Sequence, residues 1–343
     1  MDRIGIFFGG KSNEYEISLL SASAAMRAID KNKHQVVSIG ITRQGDWKLY
    51  EGDIDNIEND SWEKTAKDIS IGDIRDMMDF AFPVLHGPYG EDGKIQGVFE
   101  TLDIPYAGCG VLSSALCMDK ASAKEVFVAN RVPTGDYVLI FADEVAADVA
   151  KAAGRADDSL PYPMFVKPAN MGSSVGISKV RNIEQLQDAL KVAARYDRRI
   201  IVEEGIDCRE VEVGIMGNGD PQVSGVGEIK AKNDFYDYEA KYSDDAGTEI
   251  VIPAQLPEAI TGRIRKVARD AYKALDCEGF ARIDFLVEKE TGKVYVSEIN
   301  TIPGFTRYSM FPSLWQERGV SFSETIERII GYGYERYNAK NNR

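Results

Sequence analysis

Apolar residues recur along the chain with two periods, and the switches between them mark out the elements. Residues 4–8 (IGIFF) form a short unbroken apolar run closed by Gly9-Gly10, which reads as a buried parallel strand. Ile17, Leu20, Ala24 and Ala28 then repeat at helical spacing, with Ser12 or Asn13 placed to cap the first turn. Residues 35–41 read as the next strand. This β-loop-α-β opening predicts an α/β unit whose glycines let the backbone approach a ligand. Residues 46–60 are polar and without repeat, and read as a peripheral excursion. The apolar run that opens FPVLHGPYGEDG (82–93) meets a Gly-rich turn, at the kind of strand end that carries ligands in open α/β sheets. Helices are expected at 94–102 and 116–128, a strand at 137–141, and an Ala-rich helix at 143–154.

The second half reads mostly with the period of strands. PYPMFVK (161–167) ends on Lys167, a Gly/Ser loop follows (168–176), and 177–180 returns as its partner. IIVEE (200–204) is a further strand. Residues 211–216 and 222–228 form an antiparallel pair around Gly217-Asn218-Gly219-Asp220. The stretch 230–247 is too acidic for a core, yet it holds Phe235, Tyr236, Tyr238 and Tyr242; a loop that buries one face only when closed over a ligand has that composition. Ile260, Ile264, Val267, Ala268, Ala271 and Leu275 form an amphipathic stripe. Residues 281–286 and 293–299 read as a hairpin turning at Thr291-Gly292. An ordered turn over 300–310 and a closing helix over 321–330 complete the chain.

At 343 residues the chain is long enough for two or three domains. Its 44% hydrophobic and 28% charged content is ordinary for a soluble protein. The net charge of −14 argues against nucleic acid or an anionic membrane as partner. MDRIGIFFGG does not read as a signal peptide, and no apolar run reaches membrane-spanning length, so a cytoplasmic protein is expected. Cys109, Cys117, Cys208 and Cys277 lack C-x-x-C spacing and are expected as reduced thiols. Two histidines, His34 and His86, exclude a His-rich metal site. The pattern G-x-x-x-x-G-K-[ST] is absent, and Gly108-Cys109-Gly110 lacks the third glycine of a dinucleotide fingerprint, so a nicotinamide enzyme is a weak rival.

Side chains alternate along strands, so the predicted hairpin gathers Asp284, Glu298 and Asn300 on one face. Two carboxylates and an amide oxygen are hard ligands that suit magnesium rather than zinc. Arg282 adds a fixed positive charge on that face. The 168–176 loop offers amide and hydroxyl donors to an anion, although composition alone favours a plain hairpin loop. Glu14 stands where a glutamate most often serves a helix dipole.

D-F-L…S-E-I-N followed by Thr-Ile-Pro-Gly resembles the metal-binding hairpin of ATP-grasp enzymes. Together with GGKSNEYEISL, LHGPYGEDG, KPANMGSSVG and FYDYEAKY, the chain resembles the D-alanine–D-alanine ligase family from Gly9 to about Ile330. That family includes the D-Ala–D-lactate and D-Ala–D-serine ligases of vancomycin resistance. The resemblance implies an α/β fold (α+β in the ATP-grasp part) of three domains: an amino-terminal parallel-sheet unit (1–115), a central lobe with the phosphate loop (116–204), and a carboxy-terminal lobe with the metal hairpin and closing loop (205–343). It implies ATP-dependent ligation of two D-alanines through an acyl phosphate for peptidoglycan precursor synthesis, with magnesium or manganese, two ions, and a homodimer.

Residue by residue, the resemblance implies that Glu14 binds the ammonium of the first D-alanine and that His86 lies beside it. Lys120, Lys167 and Lys241 reach the nucleotide phosphates under Ser173 and Ser174. Glu203, the backbone around Ile206 and Phe235 meet adenine, with Phe165 as a second wall, and Glu210 reaches the ribose. Gly205 stands where relatives can carry a large aromatic residue. Tyr242 joins Ser173 and Glu14 in a hydrogen-bond network. Arg282 and the Gly304 amide form an oxyanion hole, Ser309 and the Met310 amide take the second carboxylate, and Asp284, Glu298 and Asn300 hold metal. Tyr236, Tyr242 and Met310 match the D-Ala–D-Ala form, while GITRQGDW and LSSALCMDK look more like the D-serine branch. From a different class, a catalytically silent nucleotide-binding regulator remains as a rival, disfavoured because the metal ligands, arginine and lysines are all present.

Overall fold

A computed structural model of the chain describes residues 1–172, 175–230 and 249–341. Its first sheet has the order β4-β3-β2-β1-β5, built from β1 (Asp2–Gly9), β2 (His34–Ile41), β3 (Trp47–Tyr50), β4 (Lys67–Asp68) and β5 (Phe80–Pro83). β1 lies between β2 and β5, parallel to both. Ile4 through Gly9 are buried without a break, as a strand covered on both faces requires. Helix α1 (Tyr15–Ala28) crosses between β1 and β2. Its cap differs from the expectation: Glu14 holds the N-cap position with no side-chain cap bond, and Ser12 Oγ instead accepts from the Glu14 N–H at 3.1 Å.

Residues 46–60 are not peripheral. β3 joins the sheet antiparallel to β2, and helix α2 (Ile54–Glu58) follows. Tyr50, Ile57 and the adjacent Trp62 are core residues. The anchors are too widely spaced among acidic residues to show a period. The short α3 (Ile74–Met77) leads into β5, and α4 (Lys94–Thr101) follows the Gly-rich turn. The single helix expected over 116–128 is two, α5 (Val111–Met118) and α6 (Lys120–Ala129). Asp119 breaks them with ψ 101° and caps α6 by accepting from the Ser122 N–H at 2.8 Å, the competition a short acidic side chain offers to a continuous helix.

A second sheet has the order β6-β9-β7-β8, all pairs antiparallel: β6 (Tyr137–Phe141), β7 (Met164–Pro168), β8 (Ser178–Val180) and β9 (Arg199–Glu204). Helices α7 (Ala142–Asp157) and α8 (Ile183–Ala193) close its core. The third sheet has the order β12-β11-β10-β13-β14, from β10 (Cys208–Met216), β11 (Gln222–Lys230), β12 (Glu249–Val251), β13 (Phe280–Glu288) and β14 (Val294–Asn300). The apolar stripe of α9 (Glu258–Ala274) covers the face carrying Val211, Val213 and Ile283. On the opposite face lies α10 (Met310–Glu317), whose Phe311 and Trp315 sit over Gly214. The closing helix α11 (Phe322–Asn341) is longer than expected and returns to the first sheet, where Arg336 donates to the Tyr106 and Gly108 carbonyls. Cys117 and Cys277 approach to 3.6 Å between sulfurs but stay thiols. No helix among the described residues is long and apolar enough to cross a membrane.

Candidate active site

The β13–β14 pair sets the geometry. Its register puts Asp284 opposite Glu298 and Arg282 opposite Asn300. Arg282 is clasped on two sides: its Nε and Nη2 each lie 2.7 Å from an Asp284 oxygen, and its Nε is also 2.9 Å from Glu212 Oε2. β10 delivers Glu212 in register with Asp284. Burial opposes the arginine's charge, but Asp284 and Glu212 overcome it and raise its pKa further. Asn300 Nδ2 donates to Asp284 Oδ2 at 3.0 Å. Three expected metal ligands therefore share one patch. Among the described residues, no three acidic, imidazole or thiol groups converge to hold an ion alone. Two carboxylates and one amide fit magnesium with open positions left for phosphate oxygens and water.

Beside this patch lie the lysines. Lys120, the first residue of α6, sits 3.2 Å from Glu298 Oε2 and donates to the Met171 carbonyl at 3.0 Å. It thereby joins β14 to the start of the Gly/Ser loop. Lys167, near the end of β7, is 2.6 Å from Glu203 Oε2, while Lys124 holds the other oxygen at 2.8 Å. Burial alone would raise the Glu203 pKa; Lys124 and Lys167 reverse that and hold it well below the usual carboxylate range. The same carboxylate outweighs desolvation at Lys167 and raises its pKa. Glu203 is thus an ionised acceptor at the end of β9. Ile206 follows it, Glu210 is an exposed residue of β10, and Phe165 faces the lysines, with Lys167 and Lys179 each within 6 Å of its ring. At Gly205 a Cβ would lie 2.5 Å from the Pro163 carbonyl, so an aromatic wall has no room there.

The amino-terminal unit supplies the other wall. Ser12, Glu14, Pro88, Met171 and Gly172 line a cavity of about 80 Å³. Gly87 adopts φ +73° there, and a Cβ on it would sit 2.6 Å from Glu14 Oε2, so glycine is what lets the carboxylate in. His86 is not free to reach a ligand with either nitrogen. Nδ1 is 2.8 Å from the Ile302 carbonyl and Nε2 is 2.9 Å from Ser21 Oγ. Burial lowers its pKa, against the charge of Glu14.

The 300–310 turn ends the site. Gly304 lies close to Ser309 Oγ, which accepts from the Thr306 N–H at 3.0 Å. Ser309 occupies the N-cap of α10 without capping it by its side chain. The Met310 side chain is buried against Gly227 of β11, so only the backbone of Met310 remains to face a ligand.

Ser173, Ser174, Phe235, Tyr236, Lys241 and Tyr242 lie outside the described residues. Of the rest, Arg282, Asp284, Glu298, Asn300 and Lys120 meet in one patch, with Lys167 and Glu203 adjoining. Sequence reasoning missed Lys124, Glu212, Ser21 and Glu91. Lys124 was detectable as a second lysine four residues after Lys120 on one helix face, and Glu212 by its strand alternation with Glu210. Glu91 sits inside the quoted G-E-D-G turn; Ser21 gives no signal beyond a small polar residue in a helix.

Family models described as D-ala D-ala ligase N-terminus and D-ala D-ala ligase C-terminus match residues 3–109 and 126–331. The chain is 46% identical over 353 residues to a D-alanine–D-alanine ligase of Thermoanaerobacter sp., covering 98% of each. It is 42% identical over 341 residues to one of Clostridium acetobutylicum, covering 98% of this chain and 99% of that protein. Among solved structures, it resembles the VanG D-Ala:D-Ser ligase of Enterococcus faecalis with a TM-score of 0.89 at 37% identity, over 97% of this chain and 99% of that one. A D-alanine–D-alanine ligase of Coxiella burnetii matches with a TM-score of 0.86 at 32% identity, over 100% and 98%.

Proposed function

The chain belongs to the D-alanine–D-alanine ligase family, and we propose that it uses ATP to join two D-alanine molecules into D-alanyl-D-alanine, a peptidoglycan building block. The observation that carries this reading is the convergence on one patch of Lys120 with the Arg282–Asp284–Glu298–Asn300 set. Glu14 stands across the 172 backbone from it, near enough that a Cβ on Gly172 would lie 3.0 Å from its carboxylate. Phosphate handling and amino-acid binding are thereby neighbours, as a carboxylate-activating ligase needs.

In this reading Glu14 holds the ammonium of the first D-alanine and leaves its carboxylate to attack the γ-phosphate. An acyl phosphate forms and ADP departs. Lys120, Lys167 and Lys241 hold the phosphate oxygens, with Ser173 and Ser174 covering them. Glu203 accepts from the adenine edge beside the Ile206 backbone, Phe165 and Phe235 flank the base, and Glu210 takes the ribose. Asp284, Glu298 and Asn300 would hold magnesium or manganese, which supplies neutralising charge to the phosphates when bound. Ser309 and the Met310 amide bind the carboxylate of the second D-alanine, whose deprotonated amine attacks the acyl carbon. Arg282 and the Gly304 amide meet the oxyanion of the tetrahedral intermediate, and collapse of that intermediate expels inorganic phosphate. Tyr242, with Ser173 and Glu14, closes a loop that keeps water from the acyl phosphate. We assign the three domains as 1–115, 116–204 and 205–343, and a cytoplasmic homodimer as the working form.

The test is ADP release with ATP and magnesium, offering D-alanine alone and then with D-serine or D-lactate, with products identified by mass. D-alanyl-D-alanine as the main product at neutral pH supports the reading. The likeness to the VanG D-Ala:D-Ser ligase favours one second reading, in which D-alanyl-D-serine dominates. The second subsite is then misassigned, and exposed Arg307 and Tyr308 beside it become the residues to exchange. No ADP with any mixture overturns the ligase reading and leaves the nucleotide-binding regulator.

A further inference from the structure

The backbone of the 301–305 turn is held from outside its own lobe. Glu91 is half-buried and bridges two amides: its Oε2 accepts from the Gly87 N–H at 2.8 Å and its Oε1 from the Ile302 N–H at 2.9 Å. The Ile302 carbonyl is taken by His86 Nδ1 at 2.8 Å. Ser21, on α1, lies 2.9 Å from His86 Nε2 and accepts from the Phe305 N–H at 3.2 Å. Both polar groups of Ile302 and the amide after Gly304 are therefore fixed by three side chains of the amino-terminal unit. Within this turn sits the Gly304 amide, and four residues after Phe305 comes Ser309. The main-chain donors at issue are buried, and a buried donor deprived of its acceptor is costly to leave.

We infer that Glu91 and Ser21 are positioning residues that set the 301–305 turn from the amino-terminal unit, so that the Gly304 amide and Ser309 present the second-substrate subsite in register with the first. They touch no substrate themselves. Glu91 also buttresses Gly87, whose backbone borders the Glu14 carboxylate. One carboxylate thereby fixes the spacing between the two amino-acid subsites. Its surroundings suit a bridging acceptor: burial first, and the charge of Glu14 second, push its pKa up to about 8, against the two amides that pull it down. A carboxyl group accepts from both amides in either protonation state, through its two oxygens. Glutamine cannot, because one side of its amide is a donor and would face an N–H.

This inference rests on the ligase reading, and its test separates the two. Wild type, Glu91→Gln and Ser21→Ala are each confirmed as folded by circular dichroism, and ADP and D-alanyl-D-alanine are measured in the same reactions. A loosened second subsite leaves the first chemical step running while the acyl phosphate is lost to water. In both variants the expected KM for the second D-alanine rises about tenfold, the scale of one lost buried hydrogen bond. The dipeptide formed per ADP falls below that of wild type. ADP and dipeptide falling together at an unchanged ratio overturns the positioning role, since a merely structural defect lowers both. Unchanged kinetics in both variants overturns it too. Should Glu91→Gln fail to fold, Ser21→Ala decides alone by the same ratio. Absence of dipeptide from the wild-type enzyme sinks the ligase reading instead.

Discussion

The Lys124–Glu203–Lys167 group gives the sharpest energetic prediction. Lys124 is 3% exposed and Glu203 11%, so water screens little of their interaction. Lys124 Nζ is 2.8 Å from Glu203 Oε1, donates to Thr134 Oγ1 at 2.8 Å and donates to the Gly135 carbonyl at 3.2 Å. Lys124→Met preserves the stem and removes all three contacts. Thr134 keeps its bond to the Val296 carbonyl, and Glu203 keeps Lys167, so the loss concentrates on one carboxylate oxygen and one carbonyl. Breaking a buried pair from one side costs about 3–5 kcal/mol, and the surviving Lys167 contact puts this variant near about 3 kcal/mol. Glu203→Gln removes the opposite charge and leaves two lysines facing each other. The double variant should be less unstable than the sum of the two by about 1–3 kcal/mol. Urea unfolding at fixed pH measures the cycle from midpoints and slopes. Because Glu203 is the acceptor proposed for the adenine edge, KM for ATP should rise in Lys124→Met more than KM for D-alanine. A stability within about 0.5 kcal/mol of wild type, together with additivity in the double variant, would refute the idea that Lys124 holds Glu203 ionised and in place.

Asp284→Ala should lower the initial rate of D-alanine-dependent ADP release by about 10²-fold or more, the scale of removing one preorganised charge at a reacting centre; full turnover would contradict the metal assignment. Gly205→Phe should cost about 1–3 kcal/mol by overpacking, because its Cβ would press on the Pro163 carbonyl, and thermal melting checks it. Glu91 carries a pH signature of definite sign. With its folded pKa near about 8 and an unfolded value of about 4.3, the unfolded chain holds fewer protons between them, so stability falls as pH rises across that window. The contribution is complete below about pH 4 and is lost at up to about 1.4 kcal/mol per pH unit through about pH 8. Glu91→Gln, titrated by urea unfolding from pH 5 to 8, should show a shallower fall than wild type.

Much of the fold was legible because burial on both faces leaves a plain trace. The run at 4–8 became the middle of three parallel strands in the first sheet, and the stripe from Ile260 to Leu275 covers the third sheet as its spacing required. Two errors share a cause. Residues 46–60 hide Tyr50 and Ile57 among acids, and 116–128 hides a break at Asp119 among helix formers. In both, a single side chain acting across space outranks the local average: Trp62 drawing the excursion inward, Asp119 turning its carboxylate to an N–H.

The site was legible to the extent that its residues follow strand alternation. Arg282, Asp284, Glu298 and Asn300 alternate on two paired strands, and the register brought them together without help from the rest of the chain. The residues that left least trace were those that act on backbone. Glu91 and Ser21 bind N–H groups of a turn more than 200 residues away in sequence, and a backbone amide has no identity that a pattern could match. The same fact changes the meaning of His86. A histidine among glycines suggests a ligand contact, but with both nitrogens engaged by Ser21 and Ile302 it serves the turn first. Its pKa is lowered by burial, which favours the neutral ring against the opposing pull of the Glu14 charge and the Ile302 carbonyl. A neutral His86 keeps one N–H for the Ile302 carbonyl and one acceptor for the Ser21 hydroxyl. Ser21 then has a lone pair left for the Phe305 N–H, so the chain of bonds from α1 to the Gly304 turn is satisfied in one tautomer only. Protonating the ring would set an N–H against the Ser21 hydroxyl hydrogen and force that hydroxyl to rotate, which links the protonation of a buried histidine to the geometry of the second subsite.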